Sequence, residues 1–343
     1  MTEVTRRQAI TASLAVAAMP LLSAKQASTK IVIIGGGFAG ATAGNYIKSL
    51  SPNIDVTLIE PNKEYWACPF SNLVLSGDRP PAAQRFDYAA LSARGVEVFH
   101  DFAQDVDPTQ QVVTLRNGDR VAYDRLIMSP GIDLRWNAVA GYDAAAAETL
   151  PHAWQGGAQF AVLRAQIRAM KNGGTMVMSV PKAPYRCPPG PYERASLIAH
   201  YFKTQKPKSK LIILDSKDDF SKAPLFRQAW AANYTDHLEW RGLSDDGHVK
   251  RVDAKTRIIS TDFEDFRADV ANIIPPQKAG EIAEMMDCSS RWSGSGNWTN
   301  IPSTAGSAFN CSTSASRLAS LVSSGSRCSK LSILAARVAL PLL

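Results

Sequence analysis

Lys30-Ile31-Val32-Ile33-Ile34-Gly35-Gly36-Gly37-Phe38-Ala39-Gly40 is the stretch on which the reading of the fold turns. Five residues dominated by β-branched apolar side chains predict a short buried strand, and a Gly-x-Gly-x-x-Gly loop follows it without a spacer. Ala41 to Leu50 then reads as a helix, and Ile54 to Ile59 as a second strand that ends in Glu60. Strand, glycine loop, helix, strand and terminal acid together form the βαβ fingerprint of a dinucleotide site. Gly35 serves the tight turn and Gly37 lets backbone amides approach a pyrophosphate, with Phe38 and Ala39 filling the two positions between the glycines. Gly40 lets the helix close on the sheet, and Glu60 can accept hydrogen bonds from ribose hydroxyls. A purely structural glycine turn is the competing reading of the loop taken alone.

The fingerprint by itself does not separate FAD from NAD. Further along, Tyr123-Asp124-Arg125-Leu126-Ile127-Met128-Ser129-Pro130-Gly131 reads as a strand leading into a glycine turn, with a hairpin over Asp119 to Tyr123 before it. The segment resembles the Tyr-Asp-x-Leu-x-x-Ala-x-Gly stretch of two-dinucleotide-domain flavoprotein oxidoreductases, in which the chain passes beside FAD as it leaves the first domain. That resemblance implies FAD in the first domain, with Gly131 beside it.

The whole chain has 343 residues, 45% apolar and 20% charged, with 22 Gly and 20 Pro. This composition is globular, and the length suits two domains of ordinary size. Residues 1–28 carry Arg6-Arg7, an uncharged run from Ile10 to Leu22 and small residues around Ser23-Ala24 and Ala27. That order predicts an export signal of the twin-arginine type and a periplasmic destination, a buried helix being the alternative. The apolar run is too short to span a bilayer core of about 30 Å. Losing residues 1–28 removes three basic residues and one acid, taking the net charge from +7 to +5. No run of five or six basic residues exists, and Lys203 to Lys210 is a short cluster interrupted by Pro207, so nucleic acid is not an expected partner. No Cys-x-x-Cys, His-Glu-x-x-His or Cys-x-x-Cys-His pattern occurs, so neither a resident metal nor a covalent haem is expected on this chain.

The middle of the chain repeats the nucleotide-domain rhythm without its phosphate loop. A helical pattern over 153–171 (Phe160, Leu163, Ile167, Met170) leads through Gly173-Gly174 to a strand from Thr175 to Val180, and Ser209 to Asp215 supplies the next strand. Where a second glycine loop would stand, the chain reads Pro181-Lys-Ala-Pro184-Tyr185-Arg186-Cys187-Pro188-Pro189-Gly190-Pro191-Tyr192-Glu193-Arg194. Prolines lack the amide N–H groups that cradle a pyrophosphate. The expectation is a second α/β domain that has lost nicotinamide binding, with electrons coming from another substrate.

Two cysteines fall in chemically suggestive surroundings: Cys68 in Tyr65-Trp66-Ala67-Cys68-Pro69-Phe70-Ser71-Asn72, and Cys187 in the proline loop. A thiolate there would be activated by a cation such as Arg186, or each cysteine is simply a small buried hydrophobe. Glu193, six residues beyond Cys187, is the nearest candidate acid or base, a surface ion pair being its other reading.

Four stretches carry a family resemblance: Val56-Thr-Leu-Ile-Glu-Pro-Asn62, Leu150-Pro-His-Ala-Trp154, Tyr185-Arg-Cys-Pro-Pro-Gly-Pro-Tyr-Glu-Arg-Ala195 and Asn272-Ile-Ile-Pro-Pro-Gln-Lys-Ala-Gly280. They look like the flavoprotein subunit of flavocytochrome c sulfide dehydrogenase, over about Lys30 to Met286. The resemblance implies that Cys68 tethers FAD covalently through the flavin 8α position and that Cys187 is half of a redox-active disulfide attacked by sulfide. Two electrons would then pass to FAD and singly to a c-type cytochrome subunit, haem belonging only to that partner. Glu193 would manage protons. A sulfide:quinone reductase-like enzyme is the nearest alternative, and a noncatalytic flavoprotein partner the alternative from another class.

The organisation read from the sequence is an export signal over 1–28, a first FAD-binding segment over 29–140, a second NAD-domain-like unit over 141–262, a return to the FAD domain over 263–287 and a Ser-rich tail over 288–343. The fold class is α/β with two Rossmann-like domains and a missing or altered C-terminal domain. The tail contains 15 serines, three cysteines (Cys288, Cys311, Cys328) and no acidic residue, and no Gly-Asp follows residue 118, so the family's Ile-Gly-Asp strand and second redox cysteine are not recognisable. A reading frame shifted near residue 287 accounts for this, and a genuine Ser-rich linker without fixed structure is the alternative.

Overall fold

The structure is a computed structural model describing residues 28–286. Arg6, Arg7 and the uncharged run from Ile10 to Leu22, on which the export reading rests, and the Ser-rich tail with Cys288, Cys311 and Cys328 lie outside the described residues.

The described chain builds the same plan twice. In the first unit, strands Val96–Phe99, Asp55–Ile59, Lys30–Ile34 and Arg125–Met128 lie side by side in that order, all parallel. In the second, Leu238–Arg241, Lys210–Asp215, Thr175–Val180 and Val270–Ile273 do the same. Each unit inserts an antiparallel three-stranded meander just before its fourth strand: Ala103–Asp107, Val112–Leu115 and Arg120–Ala122 in the first, Arg251–Asp253, Ile258–Ser260 and Asp265–Arg267 in the second. Parallel strands need long crossovers, and helices Phe38–Leu50, Gly190–Gln205 and Ala223–Asn233 supply them.

The apolar runs become central strands because both sheet faces are covered. Along Lys30–Ile34, Val32 and Ile34 face one core with Ile59, Val113 and Leu115, while Ile31 and Ile33 face another with Ile47, Val56 and Leu58. Ile33 is completely buried, and a side chain of that size contributes about 1.5–3 kcal/mol when fully removed from water. In the second unit Met176, Met178 and Val180 pack on one side of their strand and Val177 on the other.

Two antiparallel strands, Ile132–Leu134 and Gln277–Ala279, join the units. The return to the first unit therefore starts later than the expected residue 263. Asp265–Arg267 completes the second meander and Val270–Ile273 is the edge strand beside Thr175–Val180, so the second unit closes at about residue 273. Only then does the chain cross back, and Ile282 of helix Glu281–Met285 enters the core of the first unit. A boundary placed by sequence spacing missed this because the meander's short strands carry little periodic signal.

Candidate functional site

The glycine loop is built on close contacts that only glycine permits. Gly35 has φ +96°, and a Cβ on it would lie 2.1 Å from the Ser129 carbonyl oxygen; a Cβ on Gly40 would lie 1.8 Å from the Gly35 carbonyl oxygen. Ser129 reinforces the turn, its hydroxyl donating to the carbonyls of Ile34 and Gly35. Gly37 is the N-cap of helix Phe38–Leu50, and neither a capping side chain nor an acidic residue occupies that helix start. Its amides are thus left to an exogenous anion. Phe38 and Ala39 are exposed above the loop, and Phe38 stands edge-on to Tyr65 at 5.6 Å between centroids.

Glu60, at the end of the second strand, accepts Gly36 N–H at 2.8 Å and both Asn62 N–H (2.9 Å) and Asn62 Nδ2 (2.8 Å). The carboxylate is held beside the loop with its orientation set. Gly131, at φ +77°, lies at the exit from the first unit and accepts Gly280 N–H at 3.0 Å. These residues fit a dinucleotide flavin: an uncapped helix start for the pyrophosphate and an acid for the ribose.

The two cysteines occupy matching positions on opposite units. The Cys68 carbonyl accepts Ser71 N–H at the start of helix Ser71–Ser76, and the Cys187 carbonyl accepts Gly190 N–H at the start of helix Gly190–Gln205. Those two helices pack against each other, bringing the cysteines within electrostatic reach. Cys187 is exposed as a residue, yet partial desolvation pushes its thiol up, and the negative charges of Cys68 and Glu193 push it further, while Gly190 N–H and Arg186 pull it back. Removing a proton from Cys187 therefore needs help at neutral pH. Both cysteines are free among the described residues.

Backbone strain is present here. Cys187 (φ 61°), Phe70 (φ 65°) and Ala153 (φ 45°) are non-glycine residues in the left-handed region, each costing on the order of 1–3 kcal/mol. Gly190 is closely packed: a Cβ there would lie 3.0 Å from both the Cys187 sulfur and the Trp154 ring, tighter than ordinary contact. Of the six buried side-chain polar atoms without a partner among the described residues, three lie here: Trp154 Nε1, Arg186 Nε and Gln277 Nε2. They are tied together, because Arg186 donates to the Trp154 carbonyl through its guanidinium and to Gln277 Oε1 through its backbone N–H. Orphaned donors beside Cys187 suit an acceptor-rich ring.

Tyr65 connects the phosphate loop to the cysteines. Its ring lies 3.4 Å from the Cβ position of Gly37, burial pushes its hydroxyl up, and it feels Arg186, Cys68 and Glu60. Tyr65 thus stands against the glycine loop and feels both Glu60 and Cys68, while Cys187 feels Cys68 and Glu193.

Sequence reasoning passed over three residues that organise it. Arg194 is 1% exposed and donates from Nε to Asn72 Oδ1 (3.0 Å), from Nη1 to the His152 carbonyl (3.1 Å) and Asn272 Oδ1 (2.8 Å), and from Nη2 to the Ala153 carbonyl (2.6 Å). Burial lowers it to about 10, so it remains a cation at neutral pH. Asn72 in turn donates from Nδ2 to Glu193 Oε2 at 2.6 Å and to the Gly190 carbonyl at 3.1 Å. His152 is buried and neutral: burial first, then Arg194 and Arg186, lower it to about 4, and its Nδ1 accepts Trp154 N–H at 2.9 Å. All three stood inside or beside the quoted motifs, but partners up to 122 residues away carry no local signal.

In the second unit the place of a ribose acid is taken up internally. Asp215 ends its strand as Glu60 ends its own, but it is fully buried, accepting Tyr192 Oη at 2.7 Å, Trp240 Nε1 at 3.1 Å and the Lys217 ammonium. Among the described residues no group of three or more His, Cys, Asp or Glu could hold a metal ion, and no helix is long and apolar enough to cross a membrane.

Residues 160–275 match the family model for the sulfide dehydrogenase (flavocytochrome c) flavoprotein chain, central, and residues 29–156 match that for pyridine nucleotide-disulphide oxidoreductase. The chain is similar to the flavoprotein chain of sulfide dehydrogenase (flavocytochrome c) from Chlorobaculum thiosulfatiphilum, 49% identical over 45 residues, which cover 13% of this chain and 94% of that sequence. A mitochondrial sulfide:quinone oxidoreductase from Dictyostelium discoideum is 28% identical over 114 residues, 33% of this chain and 25% of that one. In structure, the sulfide:quinone oxidoreductase of Aquifex aeolicus superposes with a TM-score of 0.58 at 18% identity, over 75% of this chain and 61% of that one. The chain thus spans less than two thirds of the sulfide:quinone oxidoreductases it matches.

Proposed function

We propose, from the premise that this chain belongs to the flavoprotein-chain family of flavocytochrome c sulfide dehydrogenase, a family of FAD-dependent oxidoreductases, that it oxidises sulfide or a related reduced sulfur compound and passes the electrons to a c-type cytochrome subunit. The observation that carries the reading is that Cys68 and Cys187 stand at the starts of two packed helices, within electrostatic reach of each other, in a chain that also carries the uncapped glycine loop. Gly35, Gly37, Phe38, Ala39, Gly40, Glu60 and Gly131 would hold FAD, which supplies acceptance of an electron pair and its release in single-electron steps. Cys68 would anchor the ring covalently. Cys187 would engage the substrate as half of a disulfide, because hydrosulfide attacks such a bond and displaces one thiolate, from which the electron pair would pass to FAD; Cys187 is free among the described residues, so its partner cysteine would come from outside them.

Glu193 would handle the proton, because partial desolvation disfavours the Cys187 thiolate and Glu193 lies in the first turn of the helix that Cys187 precedes. The internal use of Asp215 supports a substrate other than NAD(P)H as electron source. The paired arginines and apolar run of residues 1–28 support export to the periplasm, where such a cytochrome would be met.

Three measurements test the reading. After denaturation in acid, flavin should stay with the polypeptide, and in Cys68→Ala it should be released; free release from the unsubstituted protein would remove the tether. Cys187→Ser should abolish sulfide-dependent bleaching of the flavin absorbance, and an unchanged rate would eliminate Cys187 from the chemistry. Copurification of a haem protein distinguishes the cytochrome acceptor from a quinone.

A further inference from the structure

We infer that Asn72 is a positioning residue that fixes the Glu193 carboxylate beside Cys187, and that Arg194 in turn fixes Asn72. The assignment of chemistry to Cys187 and Glu193 rests on the reading above; the positioning does not, because it stands on hydrogen bonds between side chains.

Glu193 is an exposed residue in the first turn of helix Gly190–Gln205, and a free glutamate there would sample several rotamers. One bond restrains it at its functional end: Asn72 Nδ2 reaches across from the other unit to Oε2 at 2.6 Å. Asn72 has no freedom of its own. It is 7% exposed, its second Nδ2 bond goes to the Gly190 carbonyl at 3.1 Å, and its Oδ1 accepts Arg194 Nε at 3.0 Å. The amide cannot flip without turning its NH₂ toward the guanidinium, so Arg194 sets which end faces Glu193. Arg194 is held by three further neutral acceptors, the carbonyls of His152 and Ala153 and Asn272 Oδ1. A buried cation that is hydrogen-bonded to no carboxylate is expensive. Its field lies next to Glu193, Cys68 and Cys187, all of which it feels.

The arrangement makes a specific division of labour. An asparagine at 72 accepts from Arg194 and donates to Glu193; an aspartate would keep the first bond and lose the second; an alanine would lose both. Cys187 is faced by Glu193 and Arg194 from the helix it precedes, by Arg186 and Tyr185 from its loop and by Cys68 from the other unit. Its titration therefore reports where the Glu193 charge sits.

The test is the pH dependence of Cys187 alkylation by iodoacetamide in the full-length reduced protein, followed at that residue by peptide mass spectrometry. Glu193→Gln should lower the apparent pKa of Cys187 by about half a unit or more, since a nearby negative charge is removed. Asn72→Ala should lower it in the same direction by releasing the carboxylate, and Asn72→Asp should raise it by adding a negative charge. The decisive comparison is the double variant: Asn72→Ala should have no further effect once Gln occupies position 193. Equal effects of Asn72→Ala with Glu or Gln at 193 would overturn the inference. Asn72→Asp retains the Arg194 bond, so it keeps the test open if the alanine variant folds poorly. None of this requires sulfide turnover: a protein that fails to reduce its flavin with sulfide but shows the coupling would sink the proposed activity and leave the positioning intact.

Discussion

At the scale of single residues, the site depends on places where a methyl group will not fit. Gly40 is the sharpest case. Its Cβ position is 1.8 Å from the Gly35 carbonyl oxygen, a backbone atom that cannot rotate away. Gly40→Ala should therefore force the helix off the sheet, costing at least about 1–3 kcal/mol in stability and emptying the flavin site. The flavin-to-protein absorbance ratio and urea denaturation measure both, and a variant with wild-type flavin content would contradict the loop described. Gly35 and Gly40 were legible from the sequence because their requirement is local, set within one turn of chain. Arg194 and Asn72 were not, although both stood in quoted stretches, because their partners come from the other unit.

At the scale of elements, one strand–helix–strand plan serves two ends. In the first unit the helix after the first strand starts at an uncapped glycine, and Glu60 is held beside that opening. In the second unit the corresponding helix starts after prolines, and its third residue, Tyr192, reaches Asp215 at 2.7 Å. Tyr192 then stacks on Phe220 at 3.5 Å, with Phe226 and Trp230 tilted around it. Burial and Asp215 together drive the Tyr192 hydroxyl far above its ordinary range, so it remains a donor at any physiological pH. An acid that could grip a ribose is thereby built into an aromatic core. Sequence rhythm predicted both units and the altered loop, but the fate of Asp215 depended on which aromatic side chain the helix turned inward.

At the scale of the whole molecule, the two units are joined at a polar knot rather than by apolar contact alone. Arg194, Asn72, Asn272 and the carbonyls of Pro151, His152 and Ala153 form it, and His152 lies in its wall. His152 accepts a backbone N–H at Nδ1 and is held neutral, at about 4 against 6.5 in the unfolded chain. Protonation thus favours the unfolded state over that interval. The contribution of His152 is fully present above about pH 6.5 and is lost as pH falls toward 4, amounting to at most about 3 kcal/mol. Urea unfolding of the wild type against His152→Asn across that range should show the excess slope only in the wild type; parallel curves would refute the assignment.

What the sequence determined by itself is the local covalent logic: a buried β-branched strand, a glycine loop that must turn tightly, an acid at the next strand's end, and a loop in which prolines replace the glycines of a phosphate cradle. Those features act over a few residues, where sterics and hydrogen-bond inventory leave little choice. Only the tertiary structure decided that the second unit runs on to residue 273, that Cys68 and Cys187 lie at the starts of two packed helices, and that a buried arginine orients an asparagine from the other unit toward Glu193. These depend on packing between segments about 120 residues apart. Burial, charge and donor geometry there follow from which surfaces meet, and no local pattern encodes that meeting.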